Sequence, residues 1–189
     1  MAFAFFDAEN LTSIPAGELP NVLDYSYCFA NCKNLDINKN KIILPSNIVN
    51  AAYMFMNSCI SGDLRTYSGL ILPKFIKDVK GMFLNCEKIT YIPLNFLKYA
   101  INITDLSDLF SNCTGLNGVD DTFVIPSKVN SLNRTFKNCT SLTYNYMQFI
   151  NPNNILTMGE TFAGCTILEN ISNNFKLSCN ITDLHRSFL

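Results

Sequence analysis

Cysteine is the residue type with the most specific potential chemistry in this 189-residue chain, because thiols form disulfide bonds and bind zinc. Six of the eight cysteines recur about 27 residues apart, and no Cys or His pair accompanies Cys28 and Cys32 at zinc-finger spacing. If repeated coils stack, the Cβ atoms of such a series point in parallel and do not converge as a disulfide requires. We therefore predict a reduced, buried row of thiols that pack as small apolar side chains. The row comprises Cys32, Cys59, Cys86, Cys113, Cys139 and Cys165.

Catalytic constellations are not indicated elsewhere in the sequence. His185 is the single histidine, and its position outside the repeat frame predicts a surface residue. The carboxylate pairs Asp105/Asp108 and Asp120/Asp121 could form an acidic patch, and Asp120/Asp121 a loop cation site, but acid–base catalysis would also need a cleft that shifts their pKa values. No phosphate-binding glycine motif is present. We therefore expect no enzyme activity, no catalytic residues, no metal site and no cofactor.

Composition excludes several classes of protein. Hydrophobic residues make up 48% of the chain and charged residues 15%, which is too apolar for a disordered protein. The net charge is −1 with both signs scattered, so no broad basic face for nucleic acid is expected. No apolar run reaches the roughly 20 residues of a membrane-spanning helix. The first ten residues do not have the pattern of a signal peptide.

A repeat of 24–28 residues runs through the chain and must position all of these side chains. Each unit contains a phenylalanine, most often followed by Asn-Cys or Gly-Cys and then an aliphatic residue. Such periodicity is typical of a solenoid, in which neighbouring coils share one core. We predict one solenoid domain over residues 1–189 with about seven units and a truncated eighth. The units are marked by Phe5, Phe29, Phe55, Phe83, Phe110, Phe136, Phe162 and, for the eighth, Phe188.

The spacing within a unit predicts its elements. Aliphatic residues seven and four positions before the phenylalanine match one face of a helical or 3-10 segment. Aliphatic residues six and nine positions after it, as at Ile89 and Ile92, fit a short strand that a following proline ends. The Asp, Asn or Gly two positions after it predicts a left-handed backbone. The expected fold is an α/β solenoid, a right-handed coil with a parallel sheet on one face and short helical or 3-10 segments on the other.

These units resemble the BspA-like leucine-rich repeats. The resemblance is carried by the strings FANCKNL, FLNCEKI, FSNCTGL, FKNCTSL and FAGCTIL, and by the steps Leu44-Pro45, Leu72-Pro73 and Ile125-Pro126. It extends over nearly the whole chain, although the period here exceeds the usual period of about 23 residues. That family comprises surface proteins of gut and oral bacteria, of mucosal protists and of phage. The resemblance implies a binding scaffold at a cell surface or on a virion.

Outward side chains of the strands are the expected binding residues, because a solenoid sheet presents a long curved face. Tyrosine beside small polar residues suits recognition of a protein or a glycan. Two alternatives stay open: the tyrosines could only cover the sheet, and the chain could be a structural spacer or repeat arm whose ends are covered by other subunits or domains. The candidate residues are Thr90, Tyr91, Asn117, Thr143, Tyr144, Tyr146, Glu169 and Asn170.

Overall fold

The computed structural model describes residues 1–14, 17–18, 21–35, 42–65, 67–171, 173 and 175–189. In these ranges the chain forms short strands, many turns and two short 3-10 helices, Ser68–Leu70 and Pro152–Asn154. The strands are β1 (Gly17–Glu18), β2 (Ile42–Ile43), β3 (Ser61–Asp63), β4 (Lys88–Tyr91), β5 (Gly118–Val119), β6 (Val124–Ile125), β7 (Tyr144–Asn145), β8 (Gln148–Phe149) and β9 (Asn170–Ile171).

A parallel sheet joins successive repeats in the order β3-β4-β5-β7-β9. Its strands lie where the sequence predicts them: β4 contains the aliphatic residue that follows the cysteine, Ile89, and the other four strands begin one or two residues after theirs. Two smaller parallel pairs, β1–β2 and β6–β8, run alongside. Pro126 directly follows β6, as expected for a residue that cannot donate to a ladder. Parallel pairing between strands about one repeat apart means that each coil lies on the next.

The segment around each phenylalanine is a ribbon of turns, and here the expected helical or 3-10 segment is not formed. In the second repeat, the Tyr27 N–H donates to Ala52 O of the next coil (3.0 Å), whereas the Cys28 N–H donates back to Tyr25 O (3.0 Å). In a helix, the N–H groups beyond the first turn all donate to carbonyls of the same segment. Positive φ angles at Tyr27 (54°) and Asn31 (61°) interrupt the right-handed backbone and turn alternate N–H groups outward. We call this element the turn ribbon. The hand of the whole coil stays a prediction.

Aromatic rings form the centre of the core. The repeat phenylalanines stack nearly parallel, with ring centroids 5.3 Å apart for Phe83 and Phe110 and 5.9 Å apart for Phe110 and Phe136. Phe96 and Phe123 meet this column at steep angles from the side. The predicted aliphatic residues before each phenylalanine surround it and are fully buried in the central repeats. They include Ile76, Val79, Ile103, Leu106, Val129 and Leu132.

Asparagines form a second row at the corner of the turn ribbon. The predicted left-handed backbone two positions after the phenylalanine is confirmed at every repeat. The sequence interpretation gave these residues a backbone role only, but their side chains also link the coils. The Asn85 amide donates to Asn57 Oδ1 (2.6 Å) and accepts from the Asn112 amide (2.6 Å). The residues with positive φ are Asp7, Asn31, Asn57, Asn85, Asn112, Asn138 and Gly164.

A row of thiols lies next to the phenylalanine column. Each thiol donates to the carbonyl oxygen of the phenylalanine one coil earlier, as from Cys86 Sγ to Phe55 O (3.0 Å). The structure places Cys59 outside this row, contrary to the sequence prediction. Ser58 holds the position instead and donates to Phe29 O, because the extra residue in that repeat follows Asn57. The thiols in the row are Cys32, Cys86, Cys113, Cys139 and Cys165, and all are free.

Candidate binding face

One row of outward side chains crosses the main sheet. The strand register pairs Asp63 with Tyr91, Tyr91 with Gly118, Gly118 with Tyr144, and Tyr144 with Asn170. Inward neighbours such as Val119 and Asn145 are buried. The row therefore brings two of the candidate tyrosines onto one face, with a glycine between them.

A bulge in β4 turns Tyr91 outward. Gly62 pairs with Ile89 and Asp63 with Tyr91, so Thr90 is an extra residue opposite that step. A bulge of this kind redirects the side chains that follow it. Ile89 consequently lies in the core, whereas Tyr91 two residues later is half-exposed.

Arg65 lies over the Tyr91 ring and is itself held by Asp63. The guanidinium carbon is 3.9 Å from the ring centroid, within the range of a cation–π contact. Asp63 accepts hydrogen bonds from Arg65 Nε (3.0 Å) and Nη2 (2.6 Å). The Arg65 hydrogen bonds lower the pKa of Asp63, so its carboxylate is ionised at neutral pH. The result is an ordered cation beside an aromatic ring.

The Tyr144 ring packs against Gly118, in the space that a side chain at that position would occupy. A Cβ atom at position 118 would lie only 2.2 Å from the Tyr144 ring. Tyr144 Oη donates to Asp120 Oδ1 (3.3 Å), and the ring stacks on Tyr146 with centroids 5.0 Å apart. Burial and, next, the Asp120 carboxylate raise the pKa of Tyr144, so its hydroxyl remains a donor at neutral pH. We define the tyrosine face as Arg65, Tyr91, Asp120, Tyr144 and Tyr146.

An open pocket adjoins the tyrosine face. Its volume is about 620 Å³, and Tyr146 forms one wall. Carboxylates and amides dominate the lining, with one aliphatic side chain. We define the polar pocket by its lining residues, which are Asp120, Asp121, Tyr146, Gln148, Asn170, Ile171 and Asn173.

The remaining candidate residues lie near this face but contribute less to it. Thr90 is the half-buried bulge residue, and Asn117 uses its carbonyl to accept from the N–H and the hydroxyl of Thr143 (both 2.9 Å). Thr143 and Glu169 are exposed beside the tyrosines. Sequence reasoning missed Arg65, whose approach to Tyr91 becomes visible only with the strand register.

A second row of side chains follows the turn ribbon, two positions before each phenylalanine. Phe3 is exposed, Tyr27, Tyr53 and Arg134 are half-buried, and Asp108 is buried. Here Phe3, Tyr27 and Tyr53 stack with centroid separations of 4.8 Å, and farther along Arg134 forms an ion pair with Asp108 (2.7 Å). All five residues have positive φ, which directs their side chains away from the core. The sequence analysis did not single out this position, although its aromatic and charged residues recur in the same frame.

The structure also shows the surroundings of the residues considered for catalysis or metal binding. His185 is exposed and lies 2.6 Å from Asp183, on the surface as predicted. Among the described residues, no group of three or more His, Cys, Asp or Glu side chains has a metal-binding arrangement. Nor does any helix in this part of the chain have the length and apolar character needed to span a membrane.

Comparison with solved structures identifies leucine-rich repeat proteins. A leucine-rich repeat protein from Bacteroides ovatus is 19% identical, with a TM-score of 0.50 over 94% of this chain and 54% of the other. A leucine-rich cell surface protein from Faecalibacterium prausnitzii is 22% identical, with a TM-score of 0.44 over 85% of this chain and 32% of the other. The chain thus spans about one third to one half of the length of these proteins. No curated protein matches it.

The first of these similarities shows the fold: a leucine-rich repeat solenoid with a parallel sheet. Residues 77–189, more than half of the chain, match a family model described as "Mycoplasma protein of unknown function, DUF285". The chain therefore belongs to the DUF285 family.

Proposed function

We propose that this chain is a non-enzymatic binding module of the BspA-like type, which recognises a protein or glycan partner through the tyrosine face. The proposal rests chiefly on one observation: Tyr91 on β4 and Tyr144 on β7 lie in one row of the sheet, with Gly118 of β5 between them. Arg65 packs on Tyr91, Asp120 accepts a hydrogen bond from Tyr144, and Tyr146 stacks on Tyr144. The module acts at a cell surface, outside the cell or on a virion, as the resemblance to BspA-like proteins implies.

The tyrosine side chains are held in place before any partner binds, which favours a role in binding. Tyrosine contributes a large contact area and loses little rotamer freedom on binding. Here part of that freedom is already lost, because Gly118 seats the Tyr144 ring and Arg65 covers one side of Tyr91. A face that is ordered in advance gains affinity by avoiding the entropy cost of ordering.

The thiols support a role without catalysis. A nucleophilic cysteine requires a thiolate, which an electropositive, accessible environment promotes. Burial instead raises the pKa of Cys86 to about 12 and that of Cys32 to about 11. Their thiols also donate to phenylalanine carbonyls and thereby help to join the coils.

A structural spacer is the second candidate, and the side-chain rows favour it. The phenylalanine column and the asparagine row connect neighbouring coils without interruption from Asn31 to Asn138. Such an array holds two attached parts at a set distance. A spacer would not require the tyrosine face, so the two candidates differ in what substitution of that face does.

Affinity capture with the full chain distinguishes them. The immobilised protein is exposed to host-cell surface extract, captured proteins are identified, and each is purified for a surface plasmon resonance titration. Replacing Tyr91 and Tyr144 together by alanine should weaken binding at least about tenfold, as for hot-spot residues. Tyr99→Ala is the matched control, because Tyr99 is 51% exposed and lies outside the tyrosine face. Equal affinity of the double variant and the wild type would favour the spacer.

A further inference from the structure

We infer that the polar pocket binds an uncharged sugar unit of a glycan, an inference that rests on the proposed binding function and specifies its ligand. Tyr146 lines the pocket, and its ring also stacks on Tyr144 with centroids 5.0 Å apart. Its volume of about 620 Å³ lies within the range of about 300–1,000 Å³ typical of small-molecule sites. A concave site of this size suits one or two sugar rings better than the flat core of a protein interface.

The chemistry of the pocket lining also favours a glycan over a protein as the partner. The core of a protein–protein interface is depleted of charged residues and enriched in apolar ones. This pocket has the opposite character, since Asp120 and Asp121 line it together with the amides of Gln148 and Asn170. Carboxylates and amides are planar groups with two polar atoms, so a group such as the Asp121 carboxylate can bond to two adjacent hydroxyls of a sugar ring. Asp120 and Gln148 each make a hydrogen bond within the chain, with Tyr144 Oη and Tyr146 O.

Tyr146 supplies the apolar surface that such a ligand needs. Its side chain is 41% exposed and forms a wall of the pocket, with Ile171 nearby. A pyranose has one face of C–H groups, which can pack on an aromatic ring while the hydroxyls at its edge reach Asp120 and Asp121. Burial of apolar area and satisfied hydrogen bonds then contribute together.

The charge of the pocket lining favours neutral glycans over acidic ones. Asp120 and Asp121 give the pocket a negative lining, and Arg65, a nearby cation, is bonded to Asp63. An anionic sugar, such as a sialylated or sulfated one, would bring a like charge close to these carboxylates. The pocket should therefore take neutral sugars and reject acidic ones.

A glycan array tests this inference. The biotinylated full chain is applied to immobilised neutral gluco-, galacto- and manno-oligosaccharides and to their sialylated and sulfated counterparts. We expect binding to at least one neutral series and at least tenfold weaker binding to its acidic counterparts. Tyr146→Ala and Asp121→Asn should each reduce the signal at least tenfold, whereas Tyr99→Ala should not. Thermal melts of all variants establish that they are folded.

Three results would overturn the inference. They are no saccharide signal above that of Tyr146→Ala, equal binding of neutral and acidic sugars, or an unchanged signal for a folded Asp121→Asn variant. The proposed function has a separate test, because Tyr91 and Tyr144 do not line the pocket. Tyr144 contacts the pocket residues Asp120 and Tyr146, so Tyr91→Ala alone is the variant that leaves the pocket untouched. A protein partner that is lost with the Tyr91 and Tyr144 substitutions but retained by Asp121→Asn, together with a glycan array that shows no signal, would preserve the binding function and refute the sugar ligand.

Discussion

The thiols show how one residue can serve two structural purposes. Cys113 is fully buried among apolar side chains, yet its Sγ also donates to Phe83 O at 3.2 Å. An aliphatic side chain would fill the same space but leave that carbonyl without this donor. Ser58 provides the donor in the repeat with the extra residue, so that position requires a small side chain that can donate. Cys59 is moved outward there, where Lys88 Nζ donates to its sulfur at 3.2 Å.

Alkylation should distinguish Cys59 from the thiols of the row. At about pH 8 we expect iodoacetamide to modify half-exposed Cys59 and exposed Cys179 in the folded protein, and the row cysteines only after unfolding. The pKa of Cys165, raised to about 12 by burial, leaves almost no thiolate to react although that residue is also only partly buried. Timed peptide mass spectrometry measures the rates. The control is Cys59→Ser, which should lose one fast site, and equal rates at Cys59 and Cys86 would contradict the prediction.

Asn85 lies in the middle of the asparagine row and should be sensitive to substitution. Asn85→Ala removes two inter-coil hydrogen bonds and places a Cβ-bearing residue without a polar side chain at φ 60°. We expect the free energy of unfolding to fall by about 3–4 kcal/mol, from about 1 kcal/mol for each of the two hydrogen bonds and about 1–2 kcal/mol for the backbone. Urea unfolding followed by circular dichroism measures the loss. Asn85→Gly is the control and should lose less, because glycine tolerates the left-handed backbone. An equal loss for both variants would count against the backbone contribution.

At the scale of the element, the sequence allowed the left-handed corners to be predicted but not the turn ribbon. Asn112 and Gly164 belong to the residue types that adopt positive φ, so their conformation follows from local preference. Tyr53 and Arg134 adopt it as well, and nothing in their side chains indicates this. Their backbone is set by N–H bonds to the next coil, such as that from Arg134 N to Gly159 O (2.9 Å). A pattern with helical spacing therefore formed turns, because bonds between coils replaced bonds within the segment.

Gly118 is expected to control the tyrosine face without controlling the fold. A methyl group at this position would overlap the Tyr144 ring, which is half-exposed and can rotate into solvent. Gly118→Ala should therefore break the Tyr144–Asp120 hydrogen bond and weaken partner binding severalfold, while the melting temperature stays nearly unchanged. The binding titration and a thermal melt measure the two effects. Tyr99→Ala, an exposed change outside the tyrosine face, is the control that should leave binding unchanged, and unaltered binding by Gly118→Ala would refute the positioning role.

At the scale of the molecule, the repeat could be predicted because its phenylalanines and thiols recur in one frame. The contacts of the tyrosine face could not, because they join residues on different coils whose lengths vary. Arg65 lies 26 residues before Tyr91. Its position over that ring depends on the β4 bulge, which no local preference at Thr90 indicates.

Alkaline pH should destabilise the whole array. Burial raises the pKa of Cys86 from an ordinary 9.0 to about 12, and it raises the pKa of Cys113 and Cys139 as well. Unfolded thiols therefore ionise before folded ones, so stability should be constant below about pH 9 and fall as the pH rises toward about 12. Thermal melts in reducing buffer across this interval measure the trend. Cys59→Ser should follow the wild type, and a melting temperature independent of pH above 9 would contradict the prediction.

The asparagine row has a direction, since each side-chain amide from Asn31 to Asn112 donates a hydrogen bond to the coil before it and accepts one from the coil after it. A duplicated coil inserted directly after its original would therefore find an amide acceptor on the coil before it and an amide donor on the coil after it. Length can grow by duplication of single coils, with the new joints as well satisfied as the old ones. A coil inserted in the reverse orientation would place its amide N–H donors against the N–H donors of its neighbour. The asparagine row therefore allows the array to lengthen but disfavours a reversed coil.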